Sequence, residues 1–307
     1  MSLSREDGDI EGKIYIRCLV IYGMEFKFKE LPMEILLCTD GSIASLQSAV
    51  LVHKLEFQPS TKVIVLAVSE KPEDIEGLSH SSSQIQEELK EMYQTSTKIR
   101  YGKPYQEILA EALEFSYDLV AVSGAGKHID VLDSELGSTT RRLARKLHTH
   151  FLVTRDVPTQ LEKVLVCASG DPPSADTIKI GGAWISHAVR EITLLHVIPS
   201  EKIVPVPEDK NLTTRKNLPQ HEKLDHDVVV EQAVQQLRDA GAKVPVVTKI
   251  RSGLIVDEVL DELSKGGYDL LVVGAHFQPG QNRWHGMLLD DITDQLLHHS
   301  SCSVLII

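Results

Sequence analysis

Short apolar runs recur along the chain, spaced so that a helix fits between each pair. ILLC begins at Ile35, VLAV at Val65, LVAV at Leu119 and FLV at Phe151; VLVC follows at Val164, LLHV at Leu194, LLVV at Leu270 and VLII at Val304. Runs that lack the alternation of a half-exposed strand suit parallel strands buried on both faces. Between them the apolar spacing turns helical. Tyr105, Ile108, Leu109, Ala112 and Leu113 fall at i, i+3, i+4, i+7 and i+8, and Val256, Val259, Leu260 and Leu263 repeat the spacing. Each set predicts a helix with one stripe against a sheet.

The pattern is written twice. ILLCTDGS at 35–42 is answered by VLVCASGD at 164–171, an offset of 129 residues that also aligns VLAV with LLHV. GKPYQEILAEALEFSYDLVAV at 102–122 aligns with GLIVDEVLDELSKGGYDLLVV at 253–273 at an offset of 151. The polar stretch 199–225 accounts for the growth in offset and reads as a loop or lid. The order β-α-β-α-β-α-β-α-β in both halves predicts an α/β protein of two tandem doubly wound domains. Each would be a five-stranded parallel sheet with helices on both faces. The expected divisions are an N-terminal extension at 1–32, a first domain at 33–156 and a second at 161–307, with TRDVPTQLEK (154–163) as the link. KIYIRCLVIYG within the extension reads as a strand.

Composition narrows the function classes. Of 307 residues 42% are hydrophobic and 25% charged, as suits a globular protein with two cores. Acidic residues outnumber basic ones by 44 to 32, a net charge of −12, which argues against a broad nucleic-acid or anionic-membrane surface. Four cysteines without a CxxC pair suggest neither a disulfide framework nor a zinc site. With no membrane-length apolar stretch and no secretory signal, a cytoplasmic location is expected.

The candidate chemistry gathers in SGAGKHIDVLDSELGSTTRRLARK (123–146). In an open parallel sheet, ligands collect beyond the carboxyl ends of the strands where the strand order reverses. That rule selects CTDGS after the first strand, LAVSE after the second and this stretch after the fourth. Gly124 and Gly126 permit a tight turn, while Gly137, Ser138 and Thr139 open a helix whose N–H groups and dipole attract phosphate. A plainer reading has Ser138 capping the helix and the glycines turning a loop. Asp40 could accept hydrogen bonds from ribose or an adenine amine, or could cap the next helix.

The tandem unit, TDGS after the first strand, and Gly126-x10-Gly137-Ser138-Thr139 resemble the universal stress protein family in its two-domain form, over about residues 33–307. The family pattern after the fourth strand is Gly-x2-Gly-x9-Gly-Ser/Thr. The resemblance implies an adenine nucleotide alpha hydrolase-like fold that binds ATP in the first domain, with magnesium as a candidate companion of the nucleotide. Thr39 and Asp40 would face ribose and adenine, Val68 would line the base through its backbone, and Gly126, Gly137, Ser138 and Thr139 would hold phosphates. Counted from the shared YDL, Ser123 takes the first glycine position with one residue added before Gly137; starting at Gly124 restores the total spacing but puts Lys127 at the second glycine. In the second half Ser169 replaces the aspartate, Phe277 takes the inner glycine position, and Asp290 and Asp291 stand where Gly-Ser would begin the last helix. Those carboxylates would repel triphosphate, so no cofactor is expected there.

The resemblance also implies that HFLVT and SVLII pair across the domains as an internal pseudo-dimer, and that chains form a homodimer. Two other readings stand beside it: a nucleotide-free interaction scaffold, and an adenylating enzyme of the ATP-pyrophosphatase type, faintly echoed in ASGDPPSAD (168–176). No catalytic residue or metal ligand is assigned. GxxxxGK[ST] and GxSxG are missing, and HEKLDH (221–226) spaces its histidines by five rather than four, so it reads as polar lid surface. Any ATP hydrolysis would be slow.

Overall fold

A computed structural model describes residues 32–124, 136–170, 172–199, 226–275 and 291–307. The strand expected within the extension, the stretch 200–225, Gly126, Lys127, Phe277 and Asp290 lie outside the described residues.

The first half runs β1 (Glu34–Thr39), α1 (Ile43–Lys54), β2 (Lys62–Ser69), α2 (Ile75–Leu89), β3 (Gln94–Tyr101), α3 (Pro104–Glu114), β4 (Leu119–Ser123), α4 (Ser138–Ala144) and β5 (His150–Thr154). The second repeats it as β6 (Lys163–Ala168), α5 (Pro172–Ile185), β7 (Glu191–Pro199), α6 (His226–Asp239), β8 (Val246–Gly253), α7 (Ile255–Gly266), β9 (Leu270–Val273), α8 (Asp291–His299) and β10 (Ser303–Ile306). All pairing within a half is parallel. The two five-stranded sheets then join: β5 and β10 pair antiparallel, with Leu152 opposite Leu305, giving one ten-stranded sheet ordered β3-β2-β1-β4-β5-β10-β9-β6-β7-β8.

Interior strands carry apolar residues on both faces because helices cover both. Leu37, Val65, Ala121, Val166, Leu194 and Val272 face α1, α2, α5 and α6 in one core; Leu36, Leu66, Val120, Leu165, Leu195 and Leu271 face α3, α4, α7 and α8 in the other. Each core runs through both halves. Trp184 of α5 crosses the junction, its ring edge-on to Phe57 and His150 of the first half at centroid distances of 5.7 and 5.1 Å.

The stripe expected on α3 needs one correction. Ile108 is buried and Tyr105, Leu109 and Ala112 are partly so, but Leu113 is 65% exposed. The buried position on that turn belongs to Glu111, fully enclosed. Its Oε1 accepts from Lys98 Nζ and Tyr117 Oη, each at 2.7 Å, and its Oε2 lies 2.7 Å from Arg100 Nη2. The second half reproduces the cluster: Glu262 Oε1 accepts from Lys249 at 2.6 Å and Tyr268 at 2.7 Å, with Arg251 at 3.1 Å from Oε2. A carboxylate buried with cations on both oxygens avoids the cost of an unpaired charge, and it fastens each edge strand to its helix.

Candidate functional site

Strand order 3-2-1-4-5 places the topological switch between β1 and β4. The two are direct neighbours, with Ile35 beside Leu119 and Leu37 beside Ala121, and β2 adjoins β1 on its other side. Thr39 and Asp40, Val68 and Ser69, and Ser123 and Gly124 thus leave the carboxyl edge of three adjacent strands. The helices that follow point their N-termini at that edge, where donors and positive dipole ends collect.

The loop after β1 is internally ordered. Buried Thr39 shares a 2.8 Å hydrogen bond with Ser45 Oγ and accepts from the Gly41 N–H at 3.1 Å. Asp40 Oδ1 accepts from the Ser42 N–H at 2.9 Å, an Asx turn rather than a helix cap. The cap of α1 is Ser42, whose hydroxyl accepts from the Ser45 N–H at 3.2 Å. Gly41, with φ at +77°, makes the turn that separates these roles. Val68 is buried on β2, two strands from β4.

After β4 the chain departs at Gly124 and returns at Gly137, where the Gly137 N–H donates to the Gly124 carbonyl at 2.9 Å. Gly124 also donates to the Thr154 carbonyl at 2.9 Å. Gly137 is the N-cap of α4 and offers no side chain to it, so Ser138 stands inside the helix and does not cap it. The hydroxyl of Thr140 donates to the Ser123 carbonyl at 2.8 Å, pinning the first turn of α4 to the end of β4. Thr293 repeats this on Gly274 at 3.1 Å. Of the amides assigned to phosphate, that of Gly137 is thus already engaged, and those of Ser138 and Thr139 open the helix. A cavity of about 330 Å³ beside Gly41 is walled by Glu73, Asp74, Gly77, Leu78 and Ser81, a lining with two carboxylates that suits donors rather than phosphate.

The corresponding edge of the second half is built from other groups. Buried His196 on β7 stands where Ala67 stands on β2, in the register that aligns VLAV with LLHV. Its Nδ1 lies 2.7 Å from the Ala168 carbonyl and its Nε2 3.0 Å from His226 Nδ1. His226 is therefore the first residue of α6, tied to the sheet, and not lid surface. The histidine inside LLHV was the sequence signal for it. Ser169 donates its N–H to Ser174 Oγ at 3.0 Å. Among the described residues no three His, Cys, Asp or Glu side chains group as a metal site, and no helix is long and apolar enough to cross a membrane.

The halves are further tied by Arg155, which sequence reasoning missed. It donates to the carbonyls of Leu297 at 2.9 Å and Ser300 at 3.0 Å, closing the C-terminal end of α8. Its own N–H and carbonyl bond the hydroxyl of Ser303, both at 2.9 Å. Arg145, the C-cap of α4, adds an ion pair to Asp294 of α8 at 2.7 Å.

Fold and site together define a tandem α/β protein whose doubly wound halves share one sheet. Residues 160–307, just under half of the chain, match the universal stress protein family. The crystal structure of a universal stress protein from Archaeoglobus fulgidus superposes with a TM-score of 0.56 at 17% identity, covering 89% of this chain and 95% of that one. A functionally unknown protein from Pseudomonas aeruginosa PAO1 gives a TM-score of 0.59 at 15% identity, covering 90% and 92%. These likenesses are of fold, and they extend over both halves. None of the curated proteins compared matches the chain. The family likeness is therefore carried by residues 160–307, and the first half repeats their fold.

Proposed function

We propose that the first half binds an adenine nucleotide, ATP foremost, as a signal and not as fuel for a defined reaction. The observation that carries this is the convergence of Thr39-Asp40, Val68 and Ser123-Gly124 at the carboxyl edge of β2, β1 and β4, at the switch point. In this reading Asp40 takes ribose or the adenine amine through carboxylate oxygens, and the backbone at Val68 lines the base. Ser138 and Thr139 supply amides to phosphate, joined by Gly126. The family match falls on the second half, so the reading of the first rests on its own residues and their likeness to the family pattern. Magnesium, if it accompanies the nucleotide, would be held by phosphate oxygens and water. The proposal carries with it a cytoplasmic location and a homodimer.

Equilibrium dialysis with labelled ATP tests the reading on wild type and Asp40→Ala. Saturable binding, weakened by about tenfold or more in the variant, is the expected result, since a lost charge-assisted hydrogen bond is worth about 1.5–3 kcal/mol. Wild-type protein that never saturates would end the proposal. The scaffold reading would then gain, favoured by the bonds that already occupy the Thr39 hydroxyl and the Gly137 amide.

A further inference from the structure

We propose that the groove between α1 and α2 docks a cationic amphipathic helix of a partner protein. Helix α1 is apolar on two faces. Ala49, Leu51, Val52 and Leu55 are buried in the core beneath it. Ile43, Leu46 and Val50, at i, i+3 and i+7, form a second stripe, in which Leu46 also packs against the margin of that core. Ile43 is 79% exposed and the other two are half-buried.

Leu46 and Val50 form one wall of a groove of about 590 Å³, with buried Ala49 and Ile85 at its floor and Glu87 and Glu88 on the far wall. The fold itself does not call for this stripe, as the second half shows. Its α5 carries Pro172, Ala175 and Lys179 at the positions of Ile43, Leu46 and Val50, in the register that aligns buried Ser48 and Ala49 with buried Thr177 and Ile178. One copy of the unit keeps an apolar stripe that the other replaces with smaller or charged residues.

Charge selects the occupant. Neither lysine nor arginine lines the groove, although Lys90 and His53 flank it as partners of Glu87 and Glu88. Glu73 and Asp74, in the turn just ahead of α2, add two carboxylates in the concavity beside Gly41. With a net charge of −12 over the chain, the field steers a cationic partner in and anionic surfaces away. Helix α2 has 15 residues, about 22 Å of length, enough to lie alongside some four turns of a bound helix.

The test is fluorescence anisotropy on the full chain, with a labelled Leu/Lys peptide of about 18 residues patterned as an amphipathic helix. Saturable binding is expected. Val50→Lys, which copies the second half, should weaken it by about tenfold or more, and so should Ile43→Ser, a change at a site too exposed to unfold the protein. Asp40→Ala should bind the peptide as wild type does, so nucleotide binding and this docking succeed or fail separately. Four results would overturn the proposal: no saturation, no loss in either stripe variant, equal affinity for a Leu/Glu peptide, or binding to phosphatidylglycerol vesicles that depends on the same residues.

Discussion

The N–H of Gly137 donates to the carbonyl of Gly124 at 2.9 Å, closing the neck of the excursion that leaves β4 and returns at α4. A methyl group at Gly124 would sit 3.0 Å from Arg155 Cγ and 3.2 Å from the Thr154 carbonyl oxygen. The arginine can shift; the backbone of β5 cannot without losing its ladder. Gly124→Ala should therefore cost about 1–3 kcal/mol in urea unfolding, the usual penalty for overpacking. Gly77 inside α2 offers the contrast, because a methyl group there meets nothing within 4 Å. Gly77→Ala should stabilise by up to about 1 kcal/mol through helix propensity. Equal effects of the two substitutions would show that the neck is not tight.

Arg155 joins that neck to the far half. Leu297 and Ser300, whose carbonyls it caps, are buried, so its removal leaves acceptors without water at the end of α8. Arg155→Met should cost about 2–4 kcal/mol. Hydrogen exchange should rise at residues 296–300 before it rises in β1 or β4. Protection lost evenly over both halves would mean that Arg155 supports the whole sheet and not the α8 terminus.

The two buried glutamates set an acid limit on stability. Burial alone would raise the Glu111 carboxyl, but hydrogen bonds from Lys98 and Tyr117 and the charges of Lys98 and Arg100 outweigh it and hold it below the ordinary value. Glu262 is lowered in the same way by Lys249, Tyr268 and Arg251. A carboxyl lowered in the folded state binds fewer protons there than in the unfolded chain. Its contribution is complete above the unfolded-state value and is lost as pH falls through the folded one. Unfolding free energy should drop steeply below about pH 4.5, the unfolded range of Glu. Glu111→Gln and Glu262→Gln should each flatten that slope while lowering stability near pH 7 by about 1–3 kcal/mol. An unchanged slope in the double variant would assign the acid limit to other groups.

The architecture was legible because fully buried strands announce themselves. ILLC and VLVC, LVAV and LLVV gave strands and repeat together, while the join of β5 to β10 was implied by the family resemblance of the tandem unit. The stripe on α3 was misjudged at Leu113 because periodicity cannot see that a polar residue, Glu111, is the one drawn inward. Its partners Lys98 and Arg100 lie on edge strand β3, whose sequence QTSTKIRY carries no strong apolar signal. At the site, the segments beyond β1, β2 and β4 could be named in advance from strand order alone. Arg155 could not: it follows β5 in a polar link, and its partners are backbone carbonyls more than 140 residues away, which leave no mark in side-chain pattern.

His196 and His226 offer a final prediction, settled by proton counting. The Ala168 carbonyl can only accept, so at 2.7 Å His196 Nδ1 must carry its proton. The 3.0 Å contact between His196 Nε2 and His226 Nδ1 then holds one proton between two nitrogens. Since His226 opens α6, this bond fastens the chain, on its return from residues 200–225, to the carboxyl edge of β7. Long-range ¹H–¹⁵N spectra at neutral pH should show His196 bearing hydrogen at Nδ1 whichever ring owns the shared proton. His226→Ala should cost about 0.5–1.5 kcal/mol, the net worth of one hydrogen bond. It should also speed amide exchange in residues 227–230 while leaving β7 protected. A neutral Nε2–H form of His196 in those spectra would mean that its ring is turned, and the tether would go with it.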